Sequence, residues 1–125
     1  LWDYNLTFDV GGSFNNRAIE GWQYEERGGT NDWFHVLATD PAFMDQVSTR
    51  YRSLRSGLLS DAEVLARVDR LSAPLAAAAE RDFERWPVAE IESFFTFPNG
   101  SSWEAQLDAM REWMPARLAW LDSVL

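Results

Sequence analysis

Asp3 and Asn5 are the first pair of side chains whose types and spacing could do chemistry. They lie two apart in Leu1-Trp2-Asp3-Tyr4-Asn5-Leu6-Thr7-Phe8-Asp9, where apolar and polar residues alternate. A period of two is the pattern of a half-buried strand. It sets Trp2, Tyr4, Leu6 and Phe8 on one face and Asp3, Asn5, Thr7 and Asp9 on the other. Two oxygen donors on one face make an edge suited to a hard cation or to facing a phosphate. A plain solvent-facing strand accounts for the same alternation. Gly11-Gly12 then supplies the backbone freedom that ends the strand.

Other chemistries find less support. The chain has no Cys, so it holds no disulfide, thiol nucleophile or thiolate metal site. His35 is the single His, which rules out a multi-His metal site within the chain. Set beside Trp33 and Phe34, it reads as a packing or hydrogen-bonding residue before it reads as a base. No Gly-x-Ser-x-Gly elbow supports a Ser-His-Asp arrangement, and no Gly-x-x-x-x-Gly-Lys loop is present. The acidic residues lack the spacing of a calcium loop. A net charge of −9 disfavours nonspecific binding to nucleic acid or anionic membranes. No run approaches the roughly 20 apolar residues of a membrane span. With 46% hydrophobic residues, seven Trp and eight Phe, the 125 residues can build a core and are not expected to be disordered.

The elements that would position the Asp3 edge follow in order. Residues 10–31 read as an irregular segment rich in Gly and Asn, pinned at intervals by Phe14, Ile19, Trp22 and Tyr24. Asp32 can cap a short helix with Trp33, Phe34, Val36 and Leu37. Asp40-Pro41 restarts the chain as N-cap and first helical residue. Phe43, Val47, Tyr51, Leu54 and Leu58 then form an apolar stripe, with Arg50, Arg52 and Arg55 largely outside it. Those three Arg could grip phosphate or an acidic partner, although Arg on a polar helix face is commonly structural or solvated. Gly57 ends that helix.

Ser60-Asp61-Ala62-Glu63 has the form of a capping box. The helix it opens carries Val64, Val68, Leu71, Leu75 and Ala79, interrupted by Pro74, so a kink or a restart capped by Ser72 is expected. Ala76–Ala79 favours the close approach of another helix. Residues 87–101 form a second irregular stretch, in which Phe94, Phe95 and Phe97 read as core plugs. Ser101 and Glu104 suggest a second capping box for the last helix. Trp103, Leu107, Met110, Met114, Leu118, Leu121 and Leu125 run along it as one stripe, widened by Trp113 and Trp120. Pro115 could bend this helix, and Arg117, at the stripe's edge, could reach a buried carboxylate.

Trp2-Asp3-Tyr4-Asn5-Leu6-Thr7-Phe8 resembles the Trp-Asp-aromatic-Asp-Leu-x-Phe signature of the CotH family, the spore-coat-protein-H kinases. The following pieces are similar to the helical tail behind that signature: the Trp33 helix, Asp40-Pro41-Ala42-Phe43, Arg50-Tyr51, Arg55, Arg81-Asp82 with Trp86, Ser102-Trp103, and Arg117 through Trp120-Leu121-Asp122. The resemblance spans essentially the whole chain but only the last portion of the family's domain. It implies a mainly α fold: a short N-terminal strand and a long loop, then a packed helical bundle like the C-terminal part of a kinase-like lobe. Residues 1–31 would be the strand and an active-site-like loop, and residues 32–125 the helical region, together one partial domain.

The resemblance further implies that Asp3 is the magnesium ligand and Asn5 a cofactor-binding residue, departing from the second Asp usual in the family. The intact parent would then use ATP and magnesium to phosphorylate Ser or Thr of a surface or coat protein. The setting would be the cell surface, a secreted state or a spore coat. Kinase-type enzymes grip nucleotide phosphates with a strand Lys. Every one of the eleven basic residues here is Arg, so residues 1–125 alone are expected to be inactive and to bind no cofactor. No catalytic residue is assigned within them. The rival expectation is a noncatalytic helical module for interaction or surface attachment. Either way, Trp2, Tyr4 and their aromatic neighbours are expected to meet a second copy of the chain or to leave an exposed groove.

Overall fold

The computed structural model describes residues 18–26, 32–87 and 102–125. The strand expected at residues 1–9, with Asp3 and Asn5, lies outside them, as does most of the irregular stretch before the last helix. The described residues form a mainly α fold: α1 (Gln23–Glu26), α2 (Asp32–Ala38), α3 (Pro41–Arg55), α4 (Asp61–Ser72), a 3₁₀ turn (Ala73–Leu75), α5 (Ala76–Arg85) and α6 (Trp103–Val124). No strand occurs among them, and no helix among them is long and apolar enough to cross a membrane.

Local chemistry sets most boundaries. Asp40 caps α3 by accepting from the Ala42 amide at 2.9 Å, with Pro41 as first helical residue. Ser60 caps α4, its hydroxyl accepting from the Glu63 amide at 3.3 Å. The reciprocal half of that box does not form. The Ser60 amide donates to the Gly57 carbonyl, while the Glu63 carboxylate meets Arg67 at 3.3 Å and Arg70 at 3.8 Å. At α6 the cap is Ser102, one residue later than expected, accepting from the Ala105 amide at 3.2 Å. Glu104 is thereby freed to pair with Arg111.

Pro74 acts as its chemistry requires. It lacks an amide hydrogen, so α4 stops at Ser72 and the chain passes through the 3₁₀ turn before α5. Ser72 does not cap the restart; it is buried, and its hydroxyl donates to the Asp69 carbonyl at 3.2 Å. This changes the inward face from the one the simple stripe gives. Val64, Val68 and Ser72 recur every four residues toward α6, whereas Leu71 and Leu75 are 63% and 52% exposed. Within the Ala run only Ala79 turns inward, followed by Phe83. Leu58 is likewise exposed, because α3 ends at Arg55 and the turn that follows brings Leu59 inward instead.

The long helix α6 is the axis. Twenty-two residues at 1.5 Å each give about 33 Å, and Pro115 lies within it without ending it. The chain N-terminal to Pro115 packs on α4 and α5, with Phe83 edge-on to Trp103 at 6.5 Å. Leu107 and Leu118 of α6 join Tyr51 of α3 and Val68 of α4 as the buried apolar residues among those described. α2 leaves Trp33, Phe34 and Val36 largely exposed.

Truncating Leu118 should therefore cost about 2–4 kcal/mol, the range for deleting a buried Leu side chain. Leu71→Ala should stay within about 0.5 kcal/mol, as surface changes do. Urea unfolding of the two variants measures the difference; equal losses would contradict the inward face described above.

Candidate functional site

The end of α3, the start of α4 and the distant end of α6 meet at Arg55. Its Nε lies 3.0 Å from each oxygen of Asp122 on α6, one N–H shared between the two carboxylate oxygens. One terminal nitrogen donates to the Leu59 carbonyl at 2.7 Å, and the other pairs with Asp61 of α4 at 2.8 Å. Tyr51, one turn earlier, places its hydroxyl 2.7 Å from Asp122 Oδ1 and 3.1 Å from the Leu118 carbonyl. Both of those oxygens accept, so the hydroxyl proton is held toward α6. Burial, then the hydrogen bond to Asp122, pushes the Tyr51 phenol up to about 12. The Arg55 bond, then the Tyr51 bond, holds the Asp122 carboxyl below its ordinary value.

A second cation grips backbone. Arg117 of α6 donates to the Ile19 carbonyl at 2.6 Å and to the Gly21 carbonyl at 2.9 Å. Its guanidinium carbon sits 4.3 Å from the Trp120 ring centre and 5.9 Å from that of Trp22. The two Trp rings meet edge-on at 5.1 Å, and Trp22 stacks on Tyr24 at 6.1 Å. In place of the expected carboxylate partner, the described residues supply carbonyls, because α6 faces residues 18–22 at this level. Among the described residues no carboxylate pairs with Arg117, and desolvation lowers its pKa.

An open groove of about 500 Å³ runs beside Tyr51 and Trp22. Trp22, Val47, Tyr51, Leu54, Leu121 and Leu125 make its apolar walls, with Gln46 and Arg50 as polar lining residues. The three Arg of α3 thus separate in role. Arg55 is the junction, Arg52 donates to the Leu125 carbonyl at 2.5 Å, and Arg50 lies at the groove. A fourth cluster, Arg111 with Asp69, Glu104 and Asp108, ties α4 to α6 at the surface.

Of the residues singled out for chemistry, Asp3 and Asn5 fall outside the described residues. His35 is exposed, its ring edge-on to that of Tyr24 at 6.5 Å. Among the described residues no group of three His, Asp or Glu side chains could hold a metal ion. The Tyr51–Asp122 pair and the Arg117 grip were not legible as such. Tyr51 sat in an apolar stripe whose hydroxyl partner lies 71 positions away, and carbonyl acceptors leave no trace in residue types.

The junction has a defined pH response. The Asp122 pKa is lower folded than unfolded, so its contribution is present above about pH 4 and fades as pH falls through the folded value. Tyr51 is raised, so its contribution is constant below about pH 10 and is lost as pH rises toward 12. Tyr51→Phe should cost about 1 kcal/mol at neutral pH and flatten the alkaline limb, while Asp122→Asn flattens the acid limb. Urea midpoints across pH read both; unchanged limbs would remove the junction's role.

The model of the CotH kinase protein family matches residues 1–121. No curated protein and no solved structure gives a match. The matched span takes in the alternating stretch with Asp3 and nearly all of α6, including Tyr51, Arg55 and Arg117 between them. The chain belongs to the CotH kinase protein family.

Proposed function

We propose that this chain carries the metal-holding edge and the helical body of an ATP-dependent protein phosphotransferase acting on Ser or Thr. The observation that supports the reading is the family match, which runs through Asp3 and Asn5 as well as through the helices. The donor set fits the ion. Magnesium takes one or two carboxylates and keeps its remaining positions for water and phosphate oxygen. Asp3 supplies the carboxylate and Asn5 a neutral oxygen on the same face of an alternating segment. When bound with ATP, magnesium neutralises charge on the phosphate oxygens.

Asp3 would orient the nucleotide through that ion, and Asn5 would leave the site one negative charge short of a two-carboxylate edge. The cation that grips the phosphates directly would come from outside residues 1–125, which contain no Lys. The protein acceptor would be a surface or coat protein. The second reading, a noncatalytic interaction module, is favoured by one observation: Trp33, Phe34 and Val36 of α2 stand 79%, 60% and 62% exposed. That module would bind its partner with no dependence on nucleotide.

The test uses a polypeptide joining this chain to the Lys-bearing part of the domain. Asp3→Ala should weaken magnesium-dependent ATP binding by at least about ten-fold, as loss of a ligand-shell group does. Asn5→Asp should tighten it. Calorimetry with MgATP measures both, and residues 1–125 alone should give no heat. Undiminished phosphoryl transfer by the Asp3→Ala protein would remove Asp3 from the metal site.

A further inference from the structure

Arg117 is an unusual use of a cation. It is half-buried in a chain where acidic residues outnumber basic ones by 20 to 11, yet its partners are two main-chain carbonyls. Residues 18–22 have no regular secondary structure of their own. What holds them to α6 is the fork of Arg117 on Ile19 and Gly21, backed by the Trp22–Trp120 contact. Gly21 has φ +86, a left-handed conformation that glycine adopts without strain, and it is the residue whose carbonyl takes the second nitrogen. Two carbonyls held apart match a planar fork; an ammonium would satisfy them less well. The grip shares no residue with the Tyr51–Arg55–Asp122 junction, so the one can release while the other holds.

We infer that Arg117 is a positioning residue, a latch fixing where the chain that arrives from the Asp3 edge enters the helical body. Fifteen residues separate Asp3 from Ile19. A chain of that length reaches only so far, so fixing Ile19 limits how far from the helical body Asp3 can lie. The same latch sets Trp22 as a wall of the groove, so its release also widens that groove. The consequence for magnesium rests on the metal role proposed for Asp3; the latch itself does not.

Hydrogen exchange on the full chain tests the latch. In Arg117→Met, amides within residues 18–26 should exchange roughly ten-fold faster or more, the equivalent of losing a hydrogen bond to a charged group. Those of α3 and of the α4–α6 contact should exchange as in the unaltered chain. Arg117→Lys should fall between the two, and Trp120→Leu, which spares the two carbonyl bonds, should show a smaller change confined to the same residues. Unchanged exchange at 18–26, or a uniform rise across all helices in every variant, overturns the latch.

In the longer phosphotransferase polypeptide, Arg117→Met should raise the apparent magnesium constant by roughly two- to thirty-fold, with partial rescue by Lys. An active parent whose magnesium dependence does not move overturns the positioning role. A parent that binds no MgATP at all removes the proposed function, while exchange still decides the latch.

Discussion

Arg55 can satisfy its guanidinium only if α3, the start of α4 and the end of α6 come together, and the described architecture follows from that demand. The helix that carries it contributes a single buried residue, Tyr51, and that residue points its hydroxyl at the same carboxylate. A buried hydroxyl and a partly screened carboxylate each lose water on folding and must recover their hydrogen bonds within the protein. Asp122 serves both at once. Its value lies less in net attraction, which is modest for a partly exposed pair, than in admitting one register of α3 against α6.

Arg55 and Arg117 show how environment divides one residue type. Arg55 faces two carboxylates, which stabilise its charge, and its own hydrogen bond holds the Asp122 carboxyl below its ordinary value. Arg117 has aromatic faces and carbonyl dipoles, burial works against its charge, and among the described residues no carboxylate pairs with it. Guanidinium remains protonated in both settings, since its ordinary pKa lies far above neutrality. The first is therefore a joint between rigid helices, while the second is a tether for an irregular segment. A joint fails with the fold, whereas a tether of two hydrogen bonds can open locally.

The residues that carried the resemblance to the CotH family include those that build these contacts. Tyr51, Arg55, Arg117, Trp120 and Asp122 belong to the quoted pattern and converge on α6. Much of the family signal in the helical part is thus architectural, a set of demands for pairing and stacking. The oxygens proposed to hold the metal, at Asp3 and Asn5, lie apart from these contacts in sequence, and the family match spans both regions of the chain.

The sequence by itself determined the helical class, the caps at Asp40 and Ser60, the break at Pro74 and the inward stripe of α6. Each depends on neighbours within a turn or two, where hydrogen-bond geometry and helical period act without reference to the rest of the chain. It also determined that no Lys, Cys or second His is available for chemistry. Only the tertiary structure decided that Ser72 faces inward while Leu71 does not, since a 3₁₀ turn and the placement of α6 choose between adjacent edges of one helix. It alone gave Arg117 two carbonyls in place of a carboxylate. Any residue can present a carbonyl, so that partnership is written in the path of the backbone and in no side chain.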